Sequence, residues 1–250
     1  MKRPLIVIPA RYGSERLPGK MLLAETGKPL VQHTWEACAA VGGADVVIAT
    51  DHEDIMVAAK GFGAEAVMTD PRHGSGTARV AEVARGRDAS MLINCQGDEP
   101  EVEPANIRRL IDGHTSAAEE DRPAFISTLA CPFPEDLDPQ NPNTVKVVTT
   151  ARGGAGADDA LYFSRSVMPF PRTRTHRPKL HIGLYAFSPV ALDRFAGMPP
   201  SSLEQTESLE QLRALEAGER IAVIMVERAS PGIDTAEDYA AFVARFRAGG

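Results

Sequence analysis

The sequence predicts an α/β protein with a mostly parallel sheet. Three observations predict it. Apolar runs of strand length alternate with stretches of helical period through the first half of the chain. The strand-like runs are almost continuously apolar, as in strands covered by helices on both faces. Polar, glycine-containing segments follow these runs, where an open parallel sheet gathers its ligand-binding loops.

Residues 5–9 (LIVIP) read as a buried first strand. A helix is expected over 30–41, because Leu30, Val31, Trp35, Cys38 and Ala39 recur at helical spacing. Residues 45–50 (DVVIAT) form a second strand, and 53–62 a helix that Gly63 stops. A short third strand is expected over 65–68 and a helix over 77–84. The fourth strand, 91–95 (MLINC), runs into polar Gln96-Gly97-Asp98. A helix over 104–115 opens on a proline, whose missing N–H costs nothing there.

The second half is less regular. Strands are expected over 124–131 and 144–149, on either side of the proline-rich stretch 132–142. Residues 152–159 are glycine-rich and read as a turn or hairpin, followed by a short strand over 161–163. Residues 169–178 are rich in proline and arginine and read as an exposed loop. A strand over 181–187, a helix over 203–216, a strand over 221–226 and a closing helix over 235–246, capped by Thr235, complete the chain. The length of 250 residues fits a single domain over 1–250, with a smaller lobe at about 101–187.

Composition narrows the function classes. A net charge of −7 argues against duplex nucleic acid or a polyanionic membrane surface as partner, although a local basic pocket for a small anion is compatible with it. Three scattered cysteines with no CxxC spacing suit a reducing cytoplasm rather than a disulfide framework. The apolar run near the start is too short for a signal-peptide core, and nothing reaches the length of a membrane span. A cytoplasmic protein without membrane insertion is expected.

The segment richest in chemistry is PARYGSERLPGK, Pro9 to Lys20. It follows the first strand, carries two glycines and spaces Arg11, Arg16 and Lys20. Such a loop can offer backbone N–H groups and converging cations to a polyphosphate. It is neither a Walker A loop nor GxGxxG: five residues separate Gly13 from Gly19, and Met21 follows Lys20. The missing dinucleotide fingerprint argues against a dehydrogenase.

This segment, followed by Gly27-Lys28-Pro29, resembles the signature of sugar nucleotidyltransferases. Further segments narrow the resemblance: Ala49-Thr50-Asp51-His52, His73-Gly74-Ser75-Gly76-Thr77, Asn94-Cys95-Gln96-Gly97-Asp98-Glu99-Pro100, Asn141-Pro142-Asn143, Tyr162-Phe163-Ser164-Arg165, His181-x-Gly183-x-Tyr185, Glu207-x-Leu209-Glu210-Gln211 and Gly232-Ile233-Asp234-Thr235. In this order they resemble the 3-deoxy-manno-octulosonate (Kdo) cytidylyltransferases. The resemblance implies a three-layer, Rossmann-like nucleotide-diphospho-sugar transferase fold and a homodimer. It also implies transfer of CMP from CTP to the anomeric hydroxyl of Kdo, with release of pyrophosphate, for lipopolysaccharide synthesis. A cytidylyltransferase for a related acid sugar such as 8-amino-Kdo, or a nucleotide-binding regulator without catalysis, are the alternatives.

The resemblance also implies roles for residues. Asp98 and Asp234 are expected to hold Mg²⁺, with Glu99 as the nearby alternative ligand; hard oxygen donors suit that ion. Arg11, Arg16 and Lys20 are expected to cradle the triphosphate, Lys20 facing the leaving pyrophosphate, with Pro9 and Ala10 bringing backbone close to the nucleotide. Thr50, Asp51, Ser75, Thr77, Arg79 and Gln96 are further nucleotide candidates. Capping of a helix is the competing role for Ser75 and Thr77. Arg165 is expected to meet the sugar carboxylate. Gln96, His181, Tyr185 and the set Glu207, Glu210 and Gln211, taken to share one side of a helix, are expected to meet sugar hydroxyls.

Overall fold

The computed structural model describes residues 2–150, 157–170, 172 and 178–249. The chain divides into two compact units, Met1–Ile107 with Ser230–Gly250, and Arg108–Ala229. The smaller lobe expected at about 101–187 thus corresponds to a unit that starts later and runs further.

In the first unit, strands β1 (Arg3–Ala10), β2 (Asp45–Thr50), β3 (Glu65–Met68) and β4 (Ala89–Asn94) lie in the order β3-β2-β1-β4, all parallel. Their apolar runs explain the arrangement: Ile6, Val7, Ile8, Val47, Ile48 and Ile93 are entirely buried, as expected of strands covered on both faces. Helices α1 (Leu30–Ala40), α2 (Glu53–Gly61) and α3 (Gly76–Ala84) connect the strands. His52 caps α2 by accepting from Asp54 N, and Ser75 caps α3 by accepting from Ala78 N. Parallel register sets Ala10 beside Thr50 and Val7 beside Asn94, so the loops after β1, β2 and β4 open at the same sheet edge.

Helix α4 (Pro104–Ala118) carries the chain into the second unit, and α8 (Ala236–Gly249) closes it within the first. Ile233, Tyr239, Phe242 and Val243 pack there against Leu30. Thr235 Oγ1 accepts from Asp238 N while the Asp238 carboxylate accepts from Thr235 N, a reciprocal cap that fixes the start of α8.

The second unit holds β5 (Ile126–Pro132), β6 (Lys146–Thr150), β7 (Asp158–Ser164), β8 (Lys179–Phe187) and β9 (Ile221–Met225). Their order, β8-β5-β9-β7-β6, returns to β8 through a β6–β8 pairing, so the strands close into a ring. Only β5–β9 is parallel; β5–β8, β6–β7, β6–β8 and β7–β9 are antiparallel. Parallelism is therefore complete in the first unit alone. Among the described residues no helix lies between β5 and β8, and the consecutive strands β6 and β7 meet antiparallel.

The helix expected over 203–216 is broken. The structure has α6 (Ser202–Glu207) and α7 (Leu212–Glu216), separated at Ser208, whose φ of 52° is left-handed and ends α6. A further helix, α5 (Pro189–Gly197), was not expected; Ser188 caps it ahead of a first-turn proline. The turn expected over 152–159 and the basic loop over 169–178 fall largely outside the described residues. Among the described residues, no helix is long and apolar enough to cross a membrane.

Candidate active site

At the carboxyl edge of the first unit's sheet lies a cavity of about 480 Å³. It is walled by Pro9, by Arg11 to Lys20 in part, by His73 to Gly76, and by Arg79, Gln96, Asp98 and Asp234. The loop after β1 is held in place by its neighbours. Tyr12 N donates to Asp51 Oδ1 at 3.0 Å, and the Tyr12 ring stacks on His52 with centroids 3.8 Å apart. Gly19 has φ 66°, a conformation that a side chain would strain, and it turns the chain into a short 3₁₀ segment, Lys20–Leu22. That turn buries Lys20 and Met21.

Asp98 and Asp234 are brought together by the main chain. Gly97 N donates to Pro9 O, and Ile233 N donates to Asp98 O at 2.9 Å, so the returning C-terminal segment is tied directly beside the end of β4. A side chain at Gly97 would lie 2.9 Å from Pro9 O, so this approach requires glycine.

Lys20 Nζ sits between the two carboxylates. It donates to Asp98 Oδ2 at 2.6 Å, to Ile233 O at 2.8 Å and to Asp234 Oδ1 at 3.3 Å. Arg16 adds an ion pair to Asp234 Oδ1 at 3.0 Å from a half-exposed position. Lys20 thus makes three contacts through its ammonium in the wall of the cavity. Burial, and next the charge of Asp98, push the Glu99 carboxyl up to about 8.

Several of the residues expected to meet the nucleotide serve the frame of the cavity. Arg79, buried, pairs with Asp51 Oδ2 at 2.9 Å and donates to Thr69 Oγ1. Thr50 is fully buried, and buried Thr77 accepts from Asn94 Nδ2 at 3.3 Å. Ser75 lines the cavity and caps α3, so both of its readings fit one position. Gln96 Nε2 donates to Asn94 Oδ1 at 3.1 Å. Ala10, Thr50, Asp51 and Thr77 are not among the residues that line the cavity.

One pair had no role assigned from sequence. His73, in the wall, bonds through Nε2 to Glu82, whose carboxylate also accepts from Asp70 N at 3.0 Å. The sequence signal was the histidine at the head of His73-Gly74-Ser75-Gly76; its partner, nine residues on, lies on α3.

The remaining candidates lie in the second unit. His181 Nε2 meets Thr128 Oγ1 at 3.0 Å, and its ring packs edge-on to Phe163 and beside Tyr185. Burial drives its pKa down to about 3, so the ring is neutral at pH 7. Arg165 donates to Glu207 O at 2.7 Å, Pro142 O at 2.8 Å and Ser208 O at 3.2 Å. The Glu207 carboxylate accepts from Ser164 Oγ at 2.6 Å and Arg165 N at 2.9 Å. Glu207, Glu210 and Gln211 do not share a helical face, as the sequence suggested, because α6 ends at Glu207 and Glu210 and Gln211 precede α7. Gln211 is buried, and its Nε2 has no hydrogen-bond partner among the described residues.

The family model described as "Cytidylyltransferase" matches residues 5–221. The chain is 43% identical to the 3-deoxy-manno-octulosonate cytidylyltransferase of Escherichia coli, over 94% of this chain and 92% of that one. It is 45% identical to the enzyme of the same name from Chlorobium limicola, over 94% and 93%. A solved structure of CMP:2-keto-3-deoxy-manno-octonic acid synthetase complexed with CTP superimposes with a TM-score of 0.91 at 39% identity, over 99% of this chain and 100% of that one. With its cation-lined cavity at the sheet edge and these relatives along nearly its whole length, the chain belongs to the cytidylyltransferase family, among the 3-deoxy-manno-octulosonate cytidylyltransferases.

Proposed function

We propose that this chain transfers CMP from CTP to the anomeric hydroxyl of Kdo, releasing pyrophosphate. The supporting observation is the first unit's cavity, where Arg11 and Arg16 flank the carboxylate pair Asp98 and Asp234 at the carboxyl ends of the strands. The hydroxyl attacks the α-phosphorus, a new P–O bond forms, and the bond to the β-phosphate oxygen breaks. Negative charge on phosphoryl oxygens grows in this step, and preorganised cations stabilise it. Arg16, half-exposed and able to leave Asp234, suits the triphosphate, as does Arg11 in the wall. Gln96, with its amide held by Asn94, presents a fixed polar group to the nucleotide.

Mg²⁺ is part of this reading. Asp98 and Asp234 fit it as a donor set: both are oxygen ligands, and one cation, the Lys20 ammonium, already lies within hydrogen-bond distance of both. Two carboxylates plus phosphate oxygens are a usual Mg²⁺ environment. When bound, the ion would neutralise charge on the phosphates.

The sugar is read as meeting Arg165, His181, Tyr185, Glu207, Glu210 and Gln211. Gln211 gives the clearest support: a buried amide nitrogen with no partner among the described residues calls for an oxygen acceptor, which a polyhydroxy acid supplies. Among the described residues Arg165 engages three of its five N–H groups, which leaves two for a carboxylate. Neutral His181 can donate or accept toward a hydroxyl. By the same family resemblance the protein works in the cytoplasm as a homodimer, which cell fractionation and analytical ultracentrifugation test.

The deciding experiment is pyrophosphate release with Mg²⁺ and each nucleoside triphosphate in turn against a panel of acid sugars. Release with CTP and Kdo is expected. Release only with another acid sugar would keep the reaction and reassign the sugar residues. CTP binding without release from any pair would favour a regulator.

A further inference from the structure

We infer that Glu82 is a positioning residue that acts through His73: its carboxylate takes the Nε2 proton and leaves Nδ1 as the acceptor for a hydrogen-bond donor on the nucleoside part of the substrate, a base amine or a ribose hydroxyl. The inference deepens the cytidylyltransferase reading and rests on it.

The segment between β3 and α3 is tied down on both sides of His73. Thr69 donates from N and from Oγ1 to Thr50 O, at 2.8 and 2.9 Å. Asp70 N donates to Glu82 Oε2 at 3.0 Å, and His73 N donates to Asp70 O at 3.3 Å. Arg72 folds back on the Asp70 carboxylate through N, Nε and Nη2, and Ser75 then caps α3. The His73 side chain, only a quarter exposed, is held within this frame.

One oxygen of Glu82, Oε2, accepts both from Asp70 N and from His73 Nε2. The hydrogen bond from Asp70 N, above all, holds the Glu82 carboxyl below its ordinary range, so the group is ionised at pH 7 and can only accept. Nε2 therefore carries a proton. In the neutral ring Nδ1 is then an acceptor. It has no hydrogen-bond partner among the described residues, and His73 lines the cavity. Such an atom does not suit phosphate oxygens, which are acceptors themselves. It suits an N–H or O–H group, and in a cytidine triphosphate these lie on the base and the sugar: the exocyclic amine and the 2′- and 3′-hydroxyls. The opposite tautomer would donate from Nδ1 and would suit a carbonyl or phosphate oxygen instead. Glu82 thus sets which kind of group this part of the wall takes.

The test combines ¹⁵N NMR of the histidine rings with calorimetry in EDTA, both on the full chain. At alkaline pH the His73 ring, assigned by its loss in His73→Gln, is expected as the Nε2–H tautomer. Addition of CTP is expected to move its Nδ1 resonance upfield, as acceptance of a hydrogen bond does. Glu82→Leu is expected to show both tautomers in exchange, a signature that a merely structural role would not give. His73→Gln can keep an amide toward Glu82 but offers nothing at the place of Nδ1, and is expected to weaken CTP binding about tenfold. His73→Asn can place its carbonyl oxygen where Nδ1 stands, and is expected to stay within about threefold of wild type. Inorganic triphosphate should bind both variants as it binds wild-type protein. UTP and the 2′- and 3′-deoxy forms of CTP identify the donor: the analogue that lacks it should bind His73→Gln and wild type alike. An Nδ1–H tautomer in the wild type, an Nδ1 resonance that CTP leaves unmoved, or a loss in His73→Gln that is equal for CTP, for every analogue and for inorganic triphosphate would each overturn the inference. If circular dichroism shows Glu82→Leu unfolded, the wild-type spectra and the two His73 variants decide. Failure of wild-type protein to bind CTP at all would instead overturn the cytidylyltransferase reading, while the tautomer of the free protein would still test the hold of Glu82 on His73.

Discussion

Arg165 and Glu207 hold each other twice: the Arg165 guanidinium Nε donates to Glu207 O at 2.7 Å, and the Glu207 carboxylate accepts from Arg165 N at 2.9 Å. This reciprocal contact ties the end of β7 to the end of α6. It also explains the break at Ser208, because Arg165 binds the carbonyls of both Glu207 and Ser208, groups a continuous helix would direct to its own N–H donors.

Replacement of Arg165 therefore tests position and substrate contact together. Arg165→Ala is expected to raise KM for Kdo by about tenfold or more while leaving KM for CTP within about threefold. Arg165→Lys should not rescue it, because the single nitrogen of an ammonium cannot stand in for the guanidinium Nε, Nη1 and Nη2, each of which reaches a different carbonyl. Steady-state kinetics with each substrate varied decides this, and an equal effect on both constants would remove Arg165 from the sugar.

Lys146 is fully buried in the second unit, and its ammonium donates to the carbonyls of Asn141, Thr144 and Arg165. Burial lowers its pKa. Lys146→Met would leave three carbonyls without their donor, at an expected cost of about 2–4 kcal/mol. A urea titration should show a clearly lower midpoint; an unchanged midpoint would mean that water takes over the carbonyls.

Gly97 tests the close approach that joins the β1 and β4 loops. Gly97→Ala places a Cβ 2.9 Å from Pro9 O and 3.1 Å from Met21 Sδ. The expected loss is about 1–3 kcal/mol. CTP affinity should fall with it, because Asp98 is the next residue. Thermal melting with and without CTP measures both effects.

Stability should depend on acid through two imidazoles of the second unit. Burial lowers His114 to about 4 and His181 to about 3, and His114 Nδ1 meets Ser127 Oγ at 2.8 Å. Above the unfolded value near 6.5, both states are neutral and these groups contribute no pH dependence. Below it, the unfolded chain takes up protons that the folded chain refuses, so stability falls by about 1.4 kcal/mol per pH unit for each group. The loss runs from near pH 6.5 down to about 4 for His114 and about 3 for His181. Urea midpoints across pH 5 to 7 should show it, and His114→Gln should flatten the slope.

The first unit was legible because its strands are buried runs with polar ends: β2 and β3 fall where the apolar pattern put them, and the loops at 9–20 and 96–99 lie at one edge. The second unit was less so. Its ring depends on pairings such as Lys146 with Leu180 and Asp159 with Ala222, which no local pattern encodes. The helix expected over 203–216 failed because its break is set by Arg165, some forty residues earlier in sequence. The residue types of the candidate site could be read, but not their partners. Lys20 meets residues 78 and 214 positions away, and Arg79 turns to Asp51 rather than to open solvent.

The central claim is that this chain moves CMP onto Kdo. Phosphorus NMR of the protein with CTP, Kdo and Mg²⁺ tests it most directly. The account predicts a phosphodiester resonance and pyrophosphate appearing together in equal amounts as CTP disappears. Orthophosphate with CDP, or CTP that persists unchanged, would contradict it.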